Sequence, residues 1–208
     1  MKKQKDWKGN NHSIWVTVGA SNHTDHEREK DDYYATDPIA IDKLLSVETP
    51  QNRIWECACG GGHLSERLTE KGFYVYSSDL VDRGYKRLTR TLDFLNATNV
   101  PFSSPFDILT NPPYKFAKEF ILKSLYLLPD RCKCFMFLKL SFLEGKTRLK
   151  NLFSKFPPKC IYVFSERVLC AKNAEFQKMK ELGGSATAYA WYVWQKGYNG
   201  TTTIKWIE

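Results

Sequence analysis

Three consecutive glycines, Gly60-Gly61-Gly62, follow an apolar run and precede a segment with helical periodicity. The run 53–58 is predicted to be a strand, and the helix should begin near His63 and end at Gly72, since glycine is common just past helix C-termini. Glycines adopt positive φ angles and let the backbone approach a ligand closely. In open α/β sheets, ligands bind at the carboxyl ends of the strands, where this turn lies. The segment therefore predicts an α/β fold with a ligand site after its first strand.

Strand-like and helical segments alternate along the rest of the chain. A helix start is predicted at Thr36-Asp37-Pro38, which offers a capping side chain and a proline in the first turn. Further strands are predicted at 74–80, 106–110, 133–140, 160–164 and 188–194, and further helices at 85–92, 116–128 and 146–156. This alternation indicates a doubly wound, mostly parallel sheet with helices on both faces.

Length and composition favour one domain. The chain has 208 residues, of which 42% are hydrophobic, enough for a sizeable core but too few for two large domains. Residues 1–30 are polar apart from Ile14-Trp15-Val16 and are predicted to form a flexible basic N-terminal arm. Residues 31–208 are predicted to be a single domain with a short insertion at 165–187. No apolar run matches a membrane span and no secretory signal is recognisable, so a cytoplasmic protein without a membrane partner is expected.

Charge and cysteine usage point to a class of partner and to a compartment. The formal net charge is +8, which favours an acidic partner, with nucleic acid as the first candidate. Two Cys-x-Cys pairs, Cys57/Cys59 and Cys132/Cys134, lie in strand-like stretches, whereas structural zinc ligands usually lie on turns. Buried free thiols, no metal and a reducing compartment are therefore expected.

Asp79 ends the next predicted strand, about twenty residues after the glycine turn, as in other nucleoside-binding α/β folds. A carboxylate there can accept both hydroxyls of a ribose, so the pair of features predicts a nucleoside cofactor. The dinucleotide pattern Gly-x-Gly-x-x-Gly and the phosphate-binding pattern Gly-Lys-Ser/Thr are both missing from this turn. A tight strand–helix turn followed by a solvated aspartate is the alternative.

Asn111-Pro112-Pro113-Tyr114 follows the predicted strand 106–110. Consecutive prolines stiffen this loop, so the Asn111 side-chain oxygen and the Pro112 carbonyl can be held in register as two acceptors. The amino group of adenine or of an amide is a poor nucleophile, and two acceptors would orient its lone pair towards an electrophile. Tyr114 could stack on a planar substrate. The alternative is a strand-ending turn with a packed tyrosine.

The stretch 33–194 resembles class I S-adenosylmethionine-dependent amino-methyltransferases, and among them the small phage- and prophage-type DNA adenine-N6 methyltransferases. The resemblance implies a Rossmann-like, seven-stranded sheet whose last, antiparallel strand is 188–194. It implies S-adenosylmethionine as the cofactor. The cofactor-binding positions that it implies are Tyr34, Thr36, Glu56, Ala58, Gly60, Gly62, Asp79, Asp93 and Phe94. The catalytic positions that it implies are Asn111, Pro112, Pro113 and Tyr114.

Adenine in DNA is the expected substrate, in the cytoplasm of a bacterial or phage-infected cell. RNA adenine, a protein glutamine and an inactive nucleic-acid-binding module on the same fold are the alternatives. Basic residues that could contact phosphates are Arg83, Lys86, Arg87, Arg90, Lys115, Lys118, Lys146, Arg148 and Lys150. Because only 165–187 is available for target recognition, we expect a short recognition site, weak specificity, a single-stranded preference or a protein partner.

Overall fold

The computed structural model describes residues 34–171, 174–181 and 184–208. The strands are β1 (Ala35–Thr36), β2 (Arg53–Glu56), β3 (Tyr74–Asp79), β4 (Arg90–Thr91), β5 (Asp107–Thr110), β6 (Lys133–Lys139), β7 (Cys160–Phe164), β8 (Cys170–Ala171), β9 (Tyr189–Gln195) and β10 (Thr203–Ile207). The helices are α1 (Ile39–Leu45), α2 (His63–Glu70), α3 (Ala117–Leu127), α4 (Lys146–Arg148), which continues as a π-helical turn, and α5 (Phe176–Glu181). The N-terminal arm predicted at 1–30 lies outside the described residues.

The main sheet has the strand order β10-β7-β9-β6-β5-β2-β3-β4. Strand β9 is antiparallel to both of its neighbours, β6 and β7, and the other neighbouring strands are parallel. This arrangement confirms the mostly parallel α/β fold and the antiparallel strand predicted at 188–194.

Two details of the sheet differ from the prediction. Among the described residues it has eight strands instead of seven, since β10 follows β9 and pairs in parallel with β7 at the edge. Strand β10 lies at the edge of the sheet, where Ile207 is buried but Ile204 and Trp206 are 50% and 72% exposed, so its apolar residues do not follow the pattern of a buried strand. The antiparallel strand is therefore the penultimate strand along the chain.

The prediction of a helix at 85–92 is wrong. This segment forms a turn and the short strand β4 instead. The backbone N–H groups of Thr89 and Leu92 donate to the carbonyls of Ser77 and Asp79, so the segment completes its hydrogen bonds along the edge of β3. Tertiary pairing has overridden a weak local preference for helix.

Each face of the sheet is covered by its own apolar core, as a doubly wound fold requires. Strand β6 contributes to both cores, because its side chains alternate between the two faces of the sheet. Cys134, Met136 and Leu138 pack in the core that includes α3, whereas Phe135 and Phe137 pack in the core that includes α1 and α2. The near-continuous apolar sequence of β6 follows from burial on both faces.

Gly62, the residue before α2, has a φ of +82° and lies against the ring of Tyr85. A Cβ at this position would lie 2.3 Å from two ring carbons. Gly62→Ala should lower the free energy of unfolding by about 2–5 kcal/mol, from left-handed strain together with overpacking. Urea unfolding followed by circular dichroism measures the loss.

Gly197→Ala is the matched control, since Gly197 has a φ of +81° and no atom within 4 Å of the added Cβ. It should cost only the conformational strain, about 1–2 kcal/mol. Tyr85→Ala should remove the additional cost of Gly62→Ala in the double variant. Equal losses in the two glycine variants would show that the Tyr85 contact is irrelevant to stability.

The insertion 165–187 contributes β8, which pairs antiparallel with β1 to form a separate two-stranded sheet. Ala35 faces Ala171 and Thr36 faces Cys170 in this pairing. The backbone N–H of Asp37 also donates to the carbonyl of Leu169, at 3.0 Å. Two segments that are remote in sequence are thereby brought together beside the carboxyl ends of the main strands.

All six cysteines are buried and none forms a disulfide, as predicted. Within the described part of the chain, no group of three or more His, Cys, Asp or Glu side chains is arranged to hold a metal ion. No helix in the described ranges is long and apolar enough to cross a membrane.

Candidate active site

A cavity of about 490 Å³ opens at the carboxyl ends of β2, β3 and β5. This size lies within the range of small-molecule and cofactor sites. Its walls include most of the positions predicted from the sequence. These are Tyr34, Thr36, Glu56, Ala58, Asp79, Asp93, Phe94, Asn111, Pro112, Pro113 and Tyr114. Gly60 and Gly62 do not line the cavity, but they shape the turn that holds one of its walls.

The glycine turn and Asp79 are joined by hydrogen bonds. The backbone N–H of Gly60 donates to Asp79 Oδ2 at 2.7 Å, and that of Val81 donates to Oδ1 at 3.0 Å. Asp79 is 9% exposed and lines the cavity. The backbone thus fixes the orientation of this carboxylate at the end of β3, and each oxygen still has lone-pair capacity for a hydroxyl donor.

Glu56 also lines the cavity, and its carboxyl group is buried. Its carboxyl group accepts a hydrogen bond from Ser65 Oγ, and Ser65 is in turn 2.7 Å from Ser77 Oγ. Burial raises the pKa of Glu56 to about 8, and the nearby charge of Asp79 contributes to the increase. Glu56 is therefore mostly protonated at neutral pH.

The raised pKa of Glu56 predicts a dependence of stability on pH. The unfolded chain loses this proton near the ordinary value of 4.5, whereas the folded protein keeps it up to about pH 8. The folded state thus binds more protons than the unfolded state between about pH 4.5 and about pH 8. The contribution of Glu56 to the free energy of unfolding therefore decreases as pH rises through this window, and it is constant below and above the window.

Glu56→Gln should flatten this dependence, because glutamine cannot titrate. Urea unfolding at a series of pH values between these limits measures the slope. Glu144→Gln, at an exposed position, should retain the wild-type slope. A slope in Glu56→Gln equal to that of the wild type would contradict the assignment.

Asn111 follows β5 and is held by its side-chain nitrogen. Nδ2 donates to Thr36 Oγ1 at 2.9 Å, and it lies 3.4 Å from both Cys170 Sγ and the carbonyl oxygen of Tyr34. Because that carbonyl can only accept, the amide must present its N–H groups on this side. Oδ1 is buried and has no hydrogen-bond partner among the described residues. Asn111 therefore offers an unused acceptor next to the cavity.

The two prolines and Tyr114 complete this loop. The centres of the Tyr114 and Tyr189 rings are 6.3 Å apart with an angle of 27° between their planes, and Tyr189 stacks on Phe137 at 4.9 Å. The Tyr114 hydroxyl is 3.4 Å from Cys170 Sγ, and burial raises its pKa well above the ordinary value. Tyr114 is thus a neutral phenol anchored in an aromatic row, with part of its surface on the cavity.

The Asp93-Phe94-Leu95 segment forms another wall. Asp93 Oδ1 accepts from the backbone N–H of Leu95 at 2.9 Å, which fixes the carboxylate at the start of a short 3₁₀ turn. The Phe94 ring is buried against Trp55 at 5.1 Å and Phe120 at 5.0 Å. This ring is mainly a core residue that supports the wall.

Cys170 and His63 are among the residues of the site that sequence reasoning missed. Cys170 contacts both Asn111 and Tyr114, and it reaches them through the β1–β8 pairing, for which no local sequence pattern exists. His63 also lines the cavity, and burial lowers its pKa. Its position directly after the glycine turn was the one available signal.

This arrangement combines groups that suit a nucleoside ligand and an amino group. Asp79 provides a fixed carboxylate, and the Asn111 oxygen is an acceptor without a partner. A buried acceptor is costly to leave unpaired, so the site favours a ligand that donates an N–H to it. These groups are compatible with the S-adenosylmethionine cofactor predicted from the sequence.

No protein-family model matches this sequence, and neither does any curated protein. Solved structures with a similar fold are known. A Listeria monocytogenes protein described as a class I S-adenosylmethionine-dependent methyltransferase is 15% identical, with a TM-score of 0.54 over 94% of this chain and 71% of that one. A Pyrococcus horikoshii protein described as an RNA methyltransferase is 15% identical, with a TM-score of 0.52 over 88% and 98%.

A third structure, from Lactococcus lactis and described as a hemolysin, is 11% identical, with a TM-score of 0.56 over 79% of this chain and 89% of that one. At such low identities the similarity establishes the fold alone. The fold is the Rossmann-like fold of class I S-adenosylmethionine-dependent methyltransferases. Since the three proteins carry different descriptions, the choice of substrate has to be argued from the site.

Proposed function

We propose that this protein transfers a methyl group from S-adenosylmethionine to the exocyclic amino group of adenine in DNA. The observation that supports this reaction best is the buried, unpaired Oδ1 of Asn111 on a stiff loop beside the cavity. An acceptor at this place needs an N–H donor, which the amino group of adenine supplies.

Asp79 and the Asp93 wall would hold the cofactor, which supplies an electrophilic methyl group. Asn111 Oδ1 and the Pro112 carbonyl would accept the two N–H groups of the target amine and direct its lone pair towards that methyl carbon. The nitrogen forms the new bond as the bond from sulfur to carbon breaks, and the amine then loses a proton to solvent. The loop contributes orientation and fixed dipoles, because its prolines and the bonds to Asn111 Nδ2 prevent rearrangement.

Charge favours nucleic acid over a protein glutamine as the substrate, since the chain carries a net charge of +8. Arg83 and Lys115 line the cavity, although Arg87 and Lys118 are paired with Glu66 and Glu119. The target base would have to leave the helix to reach the recessed loop. RNA adenine is the second candidate, because one similar structure is described as an RNA methyltransferase. A protein partner could supply sequence recognition.

Radiolabelled S-adenosylmethionine offered in parallel to unmodified duplex DNA, single-stranded DNA, RNA and protein tests the proposal. We expect label in DNA, resistant to ribonuclease and protease, that is released as N6-methyldeoxyadenosine on nuclease digestion. If only RNA or only protein were labelled, the proposed substrate, adenine in DNA, would be rejected in favour of the labelled one. Calorimetry that shows no cofactor binding would overturn the enzyme assignment and favour the inactive binding module.

A further inference from the structure

A second, smaller cavity of about 150 Å³ lies beside the catalytic loop. Its lining includes Tyr114, Lys139, Ser141, Phe142 and Arg148. Tyr114 belongs to both cavities, so one aromatic ring separates the larger site from the smaller one. A ligand group in the smaller cavity would therefore lie next to any base bound against Asn111.

Two cationic side chains are held at this cavity by aromatic rings. Lys139 Nζ lies 4.7 Å from the centre of the Tyr114 ring, and the guanidinium carbon of Arg148 lies 4.9 Å from the centre of the Phe142 ring. Cation–π contacts of this kind fix the positions of the charges without neutralising them.

Neither cation is paired with a carboxylate within residues 34–171, 174–181 and 184–208. Arg148 Nε and Nη2 both donate to the backbone carbonyl of Glu144, which orients the guanidinium but leaves its charge uncompensated and both N–H groups of Nη1 available. Other cations of the chain are paired, for example Arg67 with Asp42 at 2.8 Å. The cavity beside Tyr114 is thus a place where two positive charges converge without a protein anion.

A phosphate group matches this cavity in size and chemistry. The volume is too small for a nucleobase with its sugar, and two cations together with the Ser141 hydroxyl are suitable donors to phosphate oxygens. Arginine can bind such a group in a bidentate manner, and lysine acts as a point charge.

We propose that the cavity formed by Lys139, Ser141 and Arg148 binds a backbone phosphate adjacent to the target nucleotide. The inference rests on the proposed function for the placement of the target base against Asn111. A phosphate held there would position the strand so that the extruded base reaches the loop. It would also select a nucleic acid over a protein amide, which has no phosphate to offer.

Fluorescence anisotropy with a fluorescein-labelled single-stranded oligodeoxynucleotide, without cofactor and at several salt concentrations, tests this site. Lys139→Gln and Arg148→Gln should each weaken binding about tenfold at low salt and reduce the slope of log affinity against log salt by up to about 0.7, the value for one phosphate of a single strand. Lys205→Gln, on the edge strand β10, removes the same charge from an exposed position and should leave the slope unchanged. Lys139→Arg keeps the positive charge and should retain most of the affinity. Retained binding in this variant would show that the protein folds when Lys139 is replaced.

The same oligonucleotide made of ribonucleotides should show the same losses, since the phosphodiester is common to both. Affinities and slopes of Lys139→Gln and Arg148→Gln equal to those of Lys205→Gln would show that no phosphate is bound here. This assay needs no methyl transfer, so its failure is distinct from failure of the proposed function. The slopes could be reduced in Lys139→Gln and Arg148→Gln although the wild-type protein methylates no nucleic acid. That outcome would support the phosphate site and contradict the proposed methyl transfer.

Discussion

Replacing Asn111 by alanine is expected to reduce methyl transfer by about a hundredfold or more while leaving S-adenosylmethionine binding nearly unchanged. The magnitude follows from fixed dipoles in other active sites, where loss of one group costs about 10²–10³ in rate. Oδ1 is a preformed acceptor, and its removal acts on the transition state more than on the ground state. Single-turnover methylation and calorimetry of cofactor binding measure the two quantities separately.

Asn111→Asp is the informative companion variant. It keeps the acceptor oxygen but replaces the Nδ2 donor, which now contacts Thr36, Tyr34 and Cys170, by a second acceptor oxygen. A carboxylate facing the Tyr34 carbonyl is repelled, so the side chain should lose its orientation and the rate should remain far below that of the wild type. Near-normal turnover in Asn111→Ala would show that the loop is not catalytic.

Replacing Asp79 by alanine is expected to weaken cofactor binding about tenfold to a hundredfold or more, since hydrogen bonds to a charged group contribute about 1.5–3 kcal/mol each. The carboxylate accepts from the Gly60 and Val81 backbones, and in the proposed function it also accepts from the ribose hydroxyls. Its loss would remove both sets of hydrogen bonds. Calorimetric titration with S-adenosylmethionine measures the affinity.

Asp79→Asn separates these two sets of hydrogen bonds. Its one side-chain oxygen can still accept from Gly60, so the turn should stay ordered, but the negative charge and the second acceptor are lost. We expect an affinity between those of the wild type and Asp79→Ala. An unchanged dissociation constant in Asp79→Ala, with the protein folded by circular dichroism, would exclude Asp79 as a cofactor ligand.

Much of the fold could be predicted because its signals are local. Helix α2 begins at His63, directly after the glycine turn, and β7 spans Cys160–Phe164, as the apolar periodicity predicts. Strand β6 was recognisable from a continuous apolar run, since a strand buried on both faces excludes polar residues. Where the periodicity was weak, as at 85–92 and 203–207, the prediction was wrong or missing.

The placement of the site was predictable, but its internal contacts were not. The glycine turn, Asp79 and the Asn111 loop each follow a strand, and parallel strands bring their carboxyl ends to one edge of the sheet. Nothing local indicated that Tyr85 would pack on Gly62, or that burial would raise the pKa of Glu56 to about 8. Both depend on what surrounds a residue in space.

The sequence by itself determined the order of most strands, turns and candidate site residues along the chain, because hydrophobic periodicity and turn chemistry act over a few neighbouring positions. Only the tertiary structure decided which way the Asn111 amide faces and where two cationic side chains without a carboxylate partner lie at one cavity. The first depends on the carbonyl of Tyr34, which lies directly before β1, and the β1–β8 pairing adds Cys170 beside the same nitrogen. The second depends on Lys139 and Arg148, which meet at one cavity because β6 and α4 pack around Tyr114 and Phe142. Contacts between segments far apart in the chain arise from the packing of whole elements, so no local pattern specifies them.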